Sequence, residues 1–163
     1  AEESRFFMDK VESLGQRFEA AIDLHETPDR DIELRQQRAD RFGSELAADY
    51  QHIPQGFYLM LTGGQGDLEN DAKQLGYGQA IIDEIRQISP IAPEPQVLGH
   101  INRGGKLLAP PGNGVMRSYL SQWADLVAVT EVYPDHPKMG PEKSVDAQLA
   151  AIHGALKHIT PSS

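Results

Sequence analysis

Alternating helix-period and strand-like segments predict an α/β layered domain. Three observations carry this. Phe7, Val11, Leu14 and Phe18 recur at helical spacing near the start. Residues 18–25 and 126–129 are compact apolar runs of strand length. A second helical stripe, Val145, Leu149, Ile152 and Leu156, closes the chain.

Taken in order, the first stripe predicts an amphipathic helix over residues 2–17. Residues 18–25 then read as a buried strand, with Ile22 and Leu24 on one side and Ala21, Asp23 and His25 on the other. Residues 26–55 are polar and charged, with a short helix expected over 31–41, and a compact apolar run at 57–61 predicts another strand. Thr62-Gly63-Gly64-Gln65-Gly66 lacks both the Lys-Ser/Thr ending of a P-loop and GxGxxG spacing, so it reads as a flexible loop.

Ile81, Ile82, Ile85 and Ile88 mark a helix closed by Ser89-Pro90, because proline cannot continue it. Pro90, Pro93 and Pro95 make a stiff surface crossing. Short β-like pieces follow at 96–98 and 106–109, around the turn Asn102-Arg103-Gly104-Gly105. A hard turn is expected at 110–114, a helix at 115–123 and the most strand-like run at 126–129. The final helix opens near Pro141, a favoured first-turn position.

At 163 residues the chain has the length of one domain with a real core. A net charge of −9 argues against nucleic-acid binding, which needs clustered Lys and Arg. No apolar run approaches the roughly 18 residues that span a bilayer, so no membrane partner is expected. The chain has no cysteine, hence no disulfide and no thiolate, which fits a cytoplasmic protein. It starts at Ala1 with a helix under way, as expected for a processed product or a piece of something longer.

In open α/β sheets, ligands collect beyond the carboxyl ends of strands. Two predicted strands finish there in residues that carry chemistry: Asp23-Leu24-His25-Glu26 and Thr130-Glu131. A neutral imidazole ligates zinc well, and a desolvated carboxylate is tuned to act as a base near neutral pH. The plain alternatives are a structural histidine and a strand-end carboxylate paired with Arg35 or Arg103. His25, Glu26, Asp29 and Asp31 lack the spacing of a calcium loop. His52, His100, His136, His153 and His158 are scattered, and His153 and His158 read as surface or packing residues of the last helix. No Gly-x-Ser-x-Gly elbow marks a serine hydrolase.

The run from Ile22 through Asp23-Leu24-His25-Glu26-Thr27 to Asp31 resembles the Asp-Leu-His-Glu-Thr segment of bacterial zinc carboxypeptidase-like proteins. These are akin to the succinylglutamate desuccinylase and aspartoacylase branch of the metallocarboxypeptidases. Ile53-Pro54-Gln55-Gly56-Phe57-Tyr58-Leu59 and Thr130-Glu131-Val132-Tyr133-Pro134-Asp135 follow in the same order, so the resemblance runs from Phe18 to the last helix. It implies a three-layer α/β/α sandwich around a mostly parallel or mixed twisted sheet. It implies that His25 is the third protein ligand of a catalytic zinc and that Glu131 is the general base activating the metal-bound water. Substrates would be a peptide C-terminus or an N-acyl amino acid.

The family's other two ligands come from an earlier His-x-x-Glu, which this chain lacks. Residues 1–163 are therefore expected to be the C-terminal part of a single zinc-hydrolase domain. An upstream segment or second chain would complete its site and sheet, leaving an unprotected edge strand or exposed apolar patch here. An inactive stand-alone relative is the other account. The alternative of a different class is a metal-free binding or structural domain, with His25 and Glu131 in an ion-pair network.

Overall fold

The structure, a computed structural model, describes residues 2–43, 45, 50–112 and 115–160. Its centre is a four-stranded mixed sheet in the order β1-β6-β2-β5. The strands are β1 (Phe18–Glu26), β2 (Tyr58–Thr62), β5 (Lys106–Ala109) and β6 (Ala124–Val132). β1 runs parallel to β6, β6 antiparallel to β2, and β2 parallel to β5. Two short strands, β3 (Gln96–Val97) and β4 (His100–Ile101), form a separate antiparallel hairpin.

Helices flank this sheet on both faces, as an α/β/α sandwich requires. On one face lie α3 (Leu68–Ile85) and α5 (Pro141–Ile159). Tyr77, Ile81, Ile82 and Ile85 of α3 pack there with Leu59, Leu61, Ala128 and Val132 of the sheet. The contacting side of α5 is made of small residues, Ala147, Ala151 and Ala155. Gly154 belongs to the same side, and a Cβ on it would stand 2.6 Å from Ala80 O and 2.7 Å from Ile81 Cα. The two helices therefore approach at backbone distance. Gln74, buried on α3, donates to Asp125 O (2.8 Å) and accepts from Val127 N (3.1 Å), fixing the helix to the start of β6.

The opposite face is covered by α4 (Met116–Leu120), which packs Leu120 and Met116 with Val127 and Ala21, and by Val97 of the hairpin, which packs with Tyr58 and Leu107. The remaining helices are α1 (Glu2–Ser13) and α2 (Arg30–Arg41). No described helix is long and apolar enough to cross a membrane.

Several expectations need correction. α1 ends at Ser13 rather than residue 17, because the chain turns at Gly15 with φ +60°. Its apolar stripe is poorly covered: Phe7 and Leu14 are exposed. β1 was expected to be buried, yet none of its nine residues is; it lies at the sheet margin. The pieces at 96–98 and 106–109 do not pair around their shared turn. The first pairs with β4, and the second joins β2 in the main sheet. β6 extends well beyond the four apolar residues that announced it.

The glycine-rich loop is held rather than free: Gly64 N donates to the Asp71 carboxylate (2.8 Å), and the Asp67 side chain caps α3 by accepting from Asn70 N (3.0 Å). The turn expected at 110–114 falls partly on Asn113 and Gly114, which lie outside the described residues.

Candidate active site

Parallel pairing of β1 with β6 sets His25 directly opposite Glu131. Register partners on adjacent strands point to the same face and sit about 4.8 Å apart at the backbone. Alternation assigns that face to Ala21, Asp23 and His25 on β1, and to Val127, Val129 and Glu131 on β6. The antiparallel neighbour adds Tyr58, the register partner of Glu131 from the other side. The two residues singled out by sequence are thus brought together.

Their environments differ. Glu131 is 9% exposed, and His25 is exposed at the sheet margin. Burial raises the Glu131 pKa, opposed by a hydrogen bond from Thr27 and by the charge of His25. Thr27 Oγ1 donates to Glu131 Oε2, and Thr27 is itself buried. The phenol of Tyr58 is pushed upward by burial and by the Glu131 carboxylate. Its hydroxyl lies beside Thr27 but finds no hydrogen bond of good geometry. The result is a buried carboxylate with one donor fixed on it, a setting that raises its affinity for a proton.

The β1 end is tied down from the other face. Gln148 Nε2 donates to His25 O (2.8 Å), and Thr130 Oγ1 donates to Gln148 Oε1 (2.7 Å). Among the described residues the His25 ring makes no hydrogen bond or ion pair, so its nitrogens are available. Asp29 and Asp31 are committed elsewhere: Asp29 accepts from Tyr133 OH (2.5 Å), and Asp31 pairs with Arg35 (2.9 Å). Arg35 acts on Glu131 only at longer range, its charge opposing that of Asp31. Arg103 is turned to Ile101 O (3.3 Å) and takes no part. Among the described residues no salt bridge joins Glu131 to a cation, while the charges of His25 and Arg35 both act on it.

The other histidines stay apart from His25. His153 meets Glu84 (3.1 Å), His158 stands edge-on to Tyr77, and Lys138 N donates to His136 Nδ1 (3.1 Å). No three His, Asp or Glu side chains among the described residues converge to hold a metal ion. Sequence reasoning did not single out Thr27 and Tyr58. Thr27 carried a signal, two positions past His25, but its bond to Glu131 depends on the strand register.

A groove adjoins His25 on the side of α5. About 1010 Å³ opens along the β1 margin, between Leu24 and His25 on one side and Val145, Leu149 and Ile152 of α5 on the other.

The fold is that of metallopeptidase-like α/β structures. A putative metallopeptidase from Shewanella amazonensis superposes with a TM-score of 0.58 at 14% identity, over 99% of this chain and 46% of its own. One from Shewanella baltica gives 0.54 at 13% identity, over 98% of this chain and 45% of its own. At such identity the likeness establishes the architecture alone, and this chain spans less than half the length of either structure. No protein-family model matches the chain, and no curated protein does.

Proposed function

We propose that this chain carries part of the active centre of a zinc-dependent amide hydrolase acting next to a carboxylate. The type would be a metallocarboxypeptidase or an N-acyl amino acid deacylase, working in the cytoplasm on a peptide C-terminus or an N-acyl amino acid. The observation that carries this reading is an unengaged imidazole, His25, set in register beside a buried carboxylate, Glu131. The shared architecture with structures described as putative metallopeptidases supports it.

In this reading His25 is one metal ligand. Glu131 is the base that takes a proton from the attacking water and passes it to the leaving amine. Thr27 holds the carboxylate in one orientation. Among the described residues the donors do not by themselves fit a metal ion, since no second and third ligand converge on His25. The rest of the set is therefore assigned to an upstream segment or a second chain, and residues 1–163 to the C-terminal portion of the catalytic domain.

The test is elemental analysis of the protein as its gene encodes it. One zinc per chain is expected, lost in His25→Ala while circular dichroism stays unchanged. Absence of zinc, or zinc retained in the folded His25→Ala variant, overturns the assignment.

A further inference from the structure

We propose that Tyr58 is a positioning residue: its hydroxyl donates to Thr27 Oγ1 and so commits the Thr27 proton to Glu131. Groups from three parts of the chain meet here. Tyr58 and Glu131 are register partners on antiparallel β2 and β6. Thr27 follows β1, and its N donates to Val132 O (2.9 Å), which seats it against the end of β6. All three are buried, Tyr58 at 2% exposure and Thr27 at 3%. The Tyr58 ring is held in place by packing with Ala92, Val97 and Leu107.

Donors and acceptors here have one consistent assignment. A phenol donates once, a threonine hydroxyl donates once and accepts through its lone pairs, and a carboxylate only accepts. Thr27 Oγ1 gives its proton to Glu131 Oε2. No donor among the described residues reaches Thr27 Oγ1 with good geometry, and the buried Tyr58 hydroxyl has no partner either. Thr27 is nevertheless the side chain whose hydrogen-bonding group acts on the phenol. An unused donor and an unused acceptor therefore lie side by side. Burial keeps the phenol protonated and thus a donor. Buried tyrosines ordinarily find a partner, and phenylalanine would fill this place in β2 without leaving a buried hydroxyl unmet.

The relay has a direction. Once Tyr58 donates to it, Thr27 keeps its own hydrogen for Glu131, and a hydroxyl that accepts a bond donates more strongly. Glu131 Oε2 is then held, and Oε1, which carries no hydrogen bond among the described residues, is the oxygen left to take a proton. The catalytic meaning rests on the hydrolase reading above; the relay of hydroxyls does not.

The test uses the protein as its gene encodes it, with threonine methyl groups labelled for NMR. In the parent, three-bond couplings should place Thr27 in one rotamer. Tyr58→Phe should leave the fold intact and average those couplings, with Thr62 and Thr130 unchanged. In an assay of amide hydrolysis the same variant should lower kcat about two- to ten-fold at unchanged KM, the worth of one hydrogen bond. Added to Thr27→Val, it should cost nothing more. Identical Thr27 couplings in the parent and in Tyr58→Phe overturn the relay, and so does a further loss on the Thr27→Val background. Averaged couplings with kcat unchanged overturn the positioning role. If the parent turns nothing over, averaged couplings uphold the relay and only the hydrolase reading falls. Should Tyr58→Phe fail to fold, the parent decides alone. Its Tyr58 hydroxyl proton should show a nuclear Overhauser contact with Thr27 Hβ, and absence of that contact overturns the proposal.

Discussion

At Glu131, burial and a single hydroxyl donor set the chemistry. Desolvation raises the pKa of this carboxyl, and the Thr27 bond only partly offsets it. The native state therefore holds the proton more tightly than the unfolded chain does. The resulting stability is fully present below the unfolded value, about 4.3, and is lost as pH rises through the folded pKa. Glu131→Gln is neutral at every pH and escapes that loss. Its melting temperature should equal or exceed that of the parent at pH 7, the gap closing toward pH 4. In the active protein the same variant should lower kcat by about 10²–10⁴-fold. A Gln variant that is less stable at pH 7 would instead reveal a carboxylate engaged in a stabilising pair. The pair His25 and Glu131 was legible in the sequence because both end apolar runs. Thr27 and Tyr58 were not, because a partner so distant along the chain (104 positions for Thr27) becomes visible only once the register is set.

Among the elements, α5 departs most from what its sequence implies. Periodicity finds the helix and its stripe of Val145, Leu149, Ile152 and Leu156, and large apolar residues ordinarily mark the core side. Here the core side is Ala147, Ala151, Gly154 and Ala155, because α3 lies too close for anything larger. Gly154→Ala would drive a methyl into the backbone at Ala80 and Ile81. A loss of about 1–3 kcal/mol is expected despite alanine's better helix propensity, read as a lower urea midpoint at unchanged slope. A rise in stability would show that the helices can move apart at little cost. β1 teaches the converse: an apolar run earns the label of strand from its pattern, but burial depends on neighbours that no local pattern names. The start set by proline at Pro141 was read closely, whereas the stop set by Gly15 was read through and the pairing-set limits of β6 were drawn too short.

At the scale of the molecule, layer and class were legible from alternation of elements, while strand order was not. The order places β6, last of the strands along the chain, between β1 and β2. It bonds β1 across a separation such as the 105 positions from His25 to Thr130. Contacts this distant slow folding, because loop closure must be met before pairing rewards it. Stopped-flow refolding is expected in the range of about milliseconds to seconds or longer, with β1 amides the last to gain protection in pulse labelling. Sub-millisecond recovery, or early protection of β1, would contradict this. On the ribosome the consequence is temporal. Among the strands of the main sheet β1 has no companion until the end of β6 has cleared the exit tunnel, so the stretch between them waits as a half-assembled intermediate. It then depends on chaperones, or on whatever was synthesised before it, to keep that strand from wandering.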